Sequence, residues 1–312
     1  MTNIICGVDV SAKTLDGRIG LEGPSVRVEA TPRGVDRLLA FCREQGAELV
    51  VMEATGGYEA LPFALLWERG MACAVVNPRS VRFFAKAMGL LEKTDRIDAG
   101  VIARYAQVKG IVGQAPESAA QKRLRALTLR LRQVTELIVA QKNQARLVEE
   151  AEVLISFDEI LTVLRRQIRR LESQIGELLQ SDPLWSALDE TFRSIKGVAD
   201  RTVARVMAEL PEIGTVSNKA IAKLAGLAPI ANDSGKRKGK RSIRGGRSGV
   251  RSILFVVAGV VRRHDPDFAE VHRRLIAAGK CKMVVRAALA RKLLVRLNAK
   301  ARDVRQTLAA AA

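Results

Sequence analysis

The sequence predicts an α/β domain followed by a mostly helical remainder. Three observations carry this reading. Short apolar strands alternate with amphipathic helices only within residues 3–110. Over 117–180 the chain runs in Leu, Arg, Gln and Glu, with no Pro and no Gly before Gly176. Beyond Asp182-Pro183, helical periodicity continues but basic residues accumulate. A chain of 312 residues is also long enough for two or three domains.

Residues 3–30 read as three strands, broken by turns at Leu15-Asp16-Gly17 and Glu22-Gly23-Pro24. An amphipathic helix follows near 34–46, with Val35, Leu38, Leu39 and Phe41 on its apolar face. Next come a strand at 48–53, the Thr55-Gly56-Gly57 turn, a helix near 58–69 and a strand at 72–76 ended by Asn77-Pro78. Helices then span about 79–89 and 94–110. Three antiparallel strands followed by alternating helices and strands is the order of an RNase H-like domain, here 1–112. Its first strand would lie mid-sheet.

Residues 113–182 predict two long helices with a bend at Phe157-Asp158, read as a coiled-coil linker that also mediates oligomerisation. Residues 183–312 predict a helical domain. Its Ser194-Ile195-Lys196-Gly197-Val198-Ala199 turn resembles half of a helix-hairpin-helix, which offers backbone N–H groups to a phosphate. Further helices are expected near 217–227, 250–263, 267–278 and 280–297.

The net charge of +19 is segregated: +1 over 1–112, +1 over 113–182 and +17 over 183–312. Such a distribution suits a polyanion-binding domain, because each neutralised phosphate releases condensed counterions. Its densest part is Asn232 to Arg251, where Lys236, Arg237, Lys238, Lys240, Arg241, Arg244, Arg247 and Arg251 follow Ser234 without an acid. With Lys196 these are the candidate nucleic-acid contacts. Aromatic content of 4% argues against a base-stacking platform. No stretch approaches the roughly 18–20 apolar residues of a membrane span, and no basic leader is seen, so a cytoplasmic protein is expected. Cys6, Cys42, Cys73 and Cys281 have no CxxC spacing and read as buried thiols.

Four carboxylates carry the chemistry. Asp9 follows the strand Ile4–Val8, Glu53 ends the strand Leu49–Met52, and Asp95 and Asp98 stand three apart on one helix face. Converging carboxylates repel unless a cation holds them, and oxygen ligands suit Mg²⁺ or Mn²⁺. The pattern points to metal-dependent phosphodiester chemistry. Ser234, in Asn232-Asp233-Ser234-Gly235-Lys236, is a candidate nucleophile whose basic neighbours would grip the scissile phosphate. From chemistry alone Ser242, Ser248 and Ser252 compete with it. Gly245-Gly246-Arg247-Ser248-Gly249 lacks the spacing of a nucleotide-binding GxxxxGK[ST] loop. His264 and His272 lack partner Cys for zinc, Tyr58 is expected to pack beside its Gly-Gly turn, and Trp67 and Trp185 are expected in the core.

These residues resemble the DEDD transposases of the IS110 and IS-eleven-eleven insertion sequences, relatives of Piv-type DNA invertases. The resemblance rests on Gly7-Val8-Asp9, Glu53-Ala54-Thr55-Gly56, Val76-Asn77-Pro78 and Lys93–Ala99 in the N-terminal part. In the C-terminal part it rests on Ile195–Val198, Leu224–Pro229, Ser234-Gly235 and Gly246–Arg251. Lys196 stands where the family often has Pro. The resemblance implies a RuvC-like N-terminal domain whose Asp9, Glu53, Asp95 and Asp98 hold Mg²⁺. It implies Ser234 as the nucleophile of a phosphoserine intermediate. It further implies donor and target DNA, a structured bridge RNA, assembly as dimers to tetramers with shared active sites, and a bacterial, nucleoid-associated setting. Two other readings stand beside it: a RuvC-like nuclease that hydrolyses with water and needs no Ser234, and a non-catalytic nucleic-acid-binding protein.

Overall fold

The computed structural model describes residues 4–90, 95–235, 237 and 239–311; the side chains of 95–97 also lie outside the description. The chain divides into two compact units, 1–117 and 118–312.

The first unit is a five-stranded mixed sheet covered on both faces. Strands β1 (Ile5–Val10), β2 (Thr14–Ile19), β3 (Ser25–Glu29), β4 (Leu49–Glu53) and β5 (Cys73–Val76) stand in the order β3-β2-β1-β4-β5. The first three are antiparallel; β4 runs parallel to β1, and β5 to β4. The expected central place of the first strand is observed. Alternation along β1 and β4 sends Cys6, Val8, Val50 and Met52 into one core with α1 (Pro32–Glu44) and α2 (Ala60–Glu68). It sends Ile5, Leu49 and Val51 into a second core with α3 (Pro78–Ala87) and α4 (Asp95–Lys109). Both parallel strands are thus apolar on two faces, as strands covered on both sides must be. Thr31 and Asn77 cap α1 and α3 with side-chain oxygens, each followed by Pro at the first helical position.

The second unit begins with α5 (Ala119–Ala145) and α6 (Ala151–Gln180), packed together and joined by 146–150. The expected bend at Phe157-Asp158 is not there; both residues lie inside α6. Neither residue breaks a helix, whereas the observed break at 146–150 contains no Gly or Pro to announce it. Helices α7 (Pro183–Arg193), α8 (Asp200–Glu209), α9 (Asn218–Leu224), α10 (Ser248–His264), α11 (Pro266–Ala277) and α12 (Lys282–Ala311) complete the unit. Two short strands, β6 (Pro229–Ile230) and β7 (Ser242–Ile243), were not expected from sequence. Leu289, Leu293, Leu294 and Leu297 of α12 lie in one core with Leu124, Leu131 and Val134 of α5 and Leu171, Ile175 and Leu178 of α6. The far portions of the long helices leave Leu137, Ile155 and Val163 exposed, as is Leu147 in the connection between them. Asn298, fully buried on α12, accepts from the Gly214 N–H and donates to the Val216 carbonyl and Asn218 Oδ1.

Several side-chain expectations are corrected. Tyr58 is 58% and Trp67 36% exposed, so neither is core, while Trp185 is half-buried against the second unit's core. Cys281 is exposed; Cys6, Cys42 and Cys73 are buried free thiols. Contact with Cys42 and burial hold the Cys6 thiol well above its usual range, and burial pushes Cys73 up to about 12. Among the described residues, no helix is long and apolar enough to cross a membrane.

Candidate active site and nucleic-acid interface

The paired register of β1 and β4 ends with Val8 opposite Met52. Asp9 and Glu53 are the next residues, at the C-terminal ends of adjacent parallel strands. Since Val8 and Met52 face α1 and α2, alternation turns Asp9 and Glu53 toward the face covered by α3 and α4.

Gly7 determines how closely α4 can approach. A Cβ at Gly7 would lie 2.1 Å from the Ala99 carbonyl oxygen and 2.5 Å from the Ala103 nitrogen. Only a residue without a side chain lets the backbone of α4 rest directly on β1. Gly100 plays the same part on the helix, where a Cβ would meet the Leu21 carbonyl at 2.5 Å. This packing sets Asp98, the neighbour of Ala99, near the end of β1. Asp95 lies one turn earlier as the first residue of α4; its side chain, like Lys93 and Thr94, falls outside the described residues.

Asp9, Glu53 and Asp98 line one cavity of about 690 Å³. Arg79, Arg82 and Lys86 of α3 line it too, at i, i+3 and i+7 on one helix face. The sequence reading missed these cations, although that spacing after the Asn77-Pro78 cap was visible. The turn after Glu53 is built by glycine and a carboxylate. Gly56 and Gly57 have φ of +69° and +112°, and Glu59 Oε2 accepts from the N–H groups of Thr55 and Gly57 at 3.0 and 2.9 Å. Among the described residues, no three carboxylates, histidines or cysteines are gathered within coordinating reach of a single ion. The donor set nevertheless fits a hard divalent cation in kind: three carboxylates around one cavity, joined on the α4 face by the position of Asp95.

In the second unit, β6 and β7 pair as an antiparallel ladder that frames 231–241. Ser234 and Arg237 exchange both backbone hydrogen bonds, at 3.0 and 2.9 Å, across a turn with Gly235 at φ +55°. Asp233 Oδ1 accepts from the Gly239 N–H. Ser234 is therefore exposed on a short hairpin tip; Arg237, Lys240 and Arg241 are exposed in the same segment, and Arg244 is exposed just past β7. Lys236 and Lys238 lie outside the described residues. Lys196 is exposed in the α7–α8 turn, where Gly197 has φ +96°.

Two expected nucleic-acid contacts have internal work. Arg247 grips Glu212 through both guanidinium ends, at 2.6 and 2.5 Å, and donates to the Glu209 carbonyl. Burial pushes the Glu212 carboxyl up, but the hydrogen bond from Arg247, a backbone hydrogen bond and the charges of Arg247 and Arg125 together outweigh it and hold the group below its ordinary value. Arg251 donates to the Gly245 carbonyl at 2.6 Å. These arginines brace a backbone-to-backbone contact: a Cβ at Gly226 would meet the Gly245 carbonyl at 2.1 Å, and one at Gly246 the Gly226 nitrogen at 2.2 Å. Gly249 leaves room for the Glu209 carboxylate at the α10 N-terminus, where the helix dipole favours it.

Comparison with known proteins matches this chain in both units. A DEDD-type IS110 model described as "Transposase" matches residues 6–148. A second, "Transposase IS116/IS110/IS902 family", matches residues 189–273. The pilin gene-inverting proteins of Moraxella lacunata and Moraxella bovis are each 26% identical over 251 residues, covering 78% of this chain and 77% of theirs. The "Insertion element IS110 uncharacterized 43.6 kDa protein" of Streptomyces coelicolor is 32% identical over 153 residues, 48% of this chain and 37% of its own. Among solved structures, Thermus thermophilus RuvC aligns over 35% of this chain and 98% of its own, at 16% identity and a TM-score of 0.28.

Proposed function

Because the chain belongs to the IS110 family of transposases, we propose that it cuts and rejoins DNA through a serine-linked intermediate made with the help of its acidic cavity. The observation that carries this is the convergence of Asp9, Glu53 and Asp98 on one cavity whose other wall is Arg79, Arg82 and Lys86. The N-terminal unit, with its central β1 and flanking parallel β4, is read as the RNase H-like, RuvC-like domain. Asp9, Glu53, Asp95 and Asp98 would hold Mg²⁺ or Mn²⁺, which when bound polarises a phosphoryl oxygen.

The chain's own residues then have definable tasks. Arg79, Arg82 and Lys86 hold backbone phosphates of the substrate strand and offset the charge of the carboxylates. Ser234 supplies the attacking oxygen from an exposed tip, where a DNA backbone can reach it. Arg237, Lys240 and Arg241, with Lys236 and Lys238, surround the scissile phosphate and stabilise the negative charge of the transition state. The Ser234 Oγ–phosphorus bond forms as the phosphorus–deoxyribose oxygen bond breaks. The serine proton passes to solvent or a nearby base, and the leaving oxygen takes up a proton. One phosphoester replaces another, so a hydroxyl from a second strand can reverse the step and religate without an external energy source.

The guide RNA and an oligomer belong to the same proposal. The +17 domain has charge for both DNA and RNA, and the exposed apolar residues on α5 and α6 suit a second copy of the chain. The test combines protein, transcribed flanking RNA, donor and target DNA, and Mg²⁺ or Mn²⁺. A denaturation-resistant protein–DNA adduct is expected, absent in Ser234→Ala and in Asp9→Asn. Titration calorimetry with Mn²⁺ alone should show at least tenfold weaker binding by Asp9→Asn, from the loss of a charged ligand. Cleavage without an adduct, retained in Ser234→Ala, would replace the serine step with hydrolysis.

A further inference from the structure

A cavity of about 560 Å³ opens in the second unit between α10, α11 and α12. Its wall carries Arg262, Arg263, His272, Lys282 and Arg286, and no carboxylate. Several other arginines of this unit are answered by acids: Arg193 by Asp189 and Asp200, Arg201 by Glu172, Arg247 by Glu212, and Arg296 by Asp265 and Asp267. Among the described residues, no ion pair engages Arg262, Arg263, Lys282 or Arg286.

Two of these guanidiniums are fixed in place. Arg262 Nη1 lies 2.8 Å from His272 Nε2, and since arginine can only donate, the imidazole nitrogen accepts. Arg286 Nε donates to the Phe255 carbonyl at 2.8 Å while its guanidinium lies 5.1 Å from the centre of the Phe255 ring. Each contact orients the group and leaves other N–H donors to face the cavity. The α7–α8 turn adjoins the same wall, because a Cβ at Gly197 would stand 3.3 Å from Val260 Cγ1, and Val260 lines the cavity. Exposed Lys196 thus belongs to the same surface.

We propose that this cavity is a second phosphate-binding site, which takes the backbone of a nucleic-acid strand apart from the Ser234 hairpin. Four cations converging without an acid repel one another, and an anion with several oxygens relieves that repulsion while using the oriented donors. The inference rests on the reading of the chain as a nucleic-acid enzyme. DNA and RNA share the phosphodiester chemistry, so the probes must separate them.

The experiment measures fluorescence anisotropy of the full chain with a short labelled DNA duplex and an RNA duplex of the same sequence, each across a salt series. Arg263→Gln/Lys282→Gln removes two exposed cations without internal ion-pair partners; Arg262→Gln/Arg286→Gln removes the oriented pair. For either variant the slope of log affinity against log salt should fall by about two, with roughly tenfold or greater loss of affinity near ~0.1 M salt. Melting temperature should be unchanged for the first variant. An effect confined to the DNA probe assigns the site to DNA, and one confined to the RNA probe assigns it to the guide strand. Unchanged affinity and slope on both probes, while Arg237→Gln/Arg241→Gln weakens binding, would overturn the inference. Binding of neither probe by the unaltered protein would instead refute the underlying nucleic-acid reading.

Discussion

Gly7→Ala is the sharpest test of how the acidic cavity is assembled. The added methyl would stand 2.1 Å from the Ala99 carbonyl oxygen and 2.5 Å from the Ala103 nitrogen, both backbone atoms of α4. An ordinary carbon–oxygen contact is about 3.3 Å, so the helix must retreat by roughly 1 Å. Overpacking costs about 1–3 kcal/mol, and rigid backbone on the other side puts Gly7→Ala near the top of that range. At about 4–8 °C per kcal/mol for a unit of this size, its melting should fall by roughly 10–24 °C. The same retreat carries Asp98 away from Asp9 and Glu53, and a displacement of about 1 Å at a reacting centre costs on the order of 100-fold in rate. Gly17→Ala is the control: its methyl would meet Leu38 Cδ1 at 2.8 Å, a side-chain end that can rotate, for about 1 kcal/mol. Calorimetry and a DNA cleavage assay read both quantities. A Gly7→Ala protein that melts within about 2 °C of the parent and cleaves normally would refute the claim that α4 on β1 positions the site.

Other expectations follow from the second unit. The folded state holds the Glu212 carboxyl below its ordinary value, so its contribution to stability is complete above the unfolded value near ~4.3 and is lost as pH falls through the lower folded value. Glu212→Gln should therefore cost about 1 kcal/mol at neutral pH, after allowance for solvent screening, and flatten the acid limb of a melting-temperature profile. Asn298→Leu strands the Gly214 N–H, while the Val216 carbonyl keeps its bond from Arg302, and should cost roughly 1–3 kcal/mol in a urea titration. Gly176→Ala places a methyl in open space inside α6, and should raise stability by about 0.5–1 kcal/mol in the same titration.

Much of the first unit was legible because its signals are local. Apolar runs bounded by turns located most of the strands, but the turn expected at Leu15-Asp16-Gly17 lies inside β2, paired with β1, and the chain turns at 11–13 instead. Thr31-Pro32 and Asn77-Pro78 announced helix starts through a capping oxygen and a proline with no N–H to satisfy. Asp9 and Glu53 were legible as strand-end acids, and Asp98 as one of an i,i+3 pair. The cavity's cations were not, because Arg79, Arg82 and Lys86 look like an ordinary solvated helix face until α3 is placed on the sheet. The break between α5 and α6 escaped notice because 146–150 contains neither Gly nor Pro. The roles of Arg247 and Arg251 were hidden by their neighbours: in a run of eight basic residues, nothing local separates those bracing Glu212 and Gly245 from those facing solvent. The glycines at 226, 245 and 246 mark a turn in sequence, but only the fold shows that two backbones meet there.

The central claim, that Ser234 carries the DNA strand and the acidic cavity serves that step, is tested most directly by mapping the covalent product. The trapped complex would be digested with nuclease and protease and its peptides sequenced by mass spectrometry. The account predicts a nucleotide phosphate on Ser234 in the unaltered protein, and no modified peptide in Asp9→Asn. Cut DNA with Ser234 unmodified, or a nucleotide on Ser242, Ser248 or Ser252 instead, would contradict it.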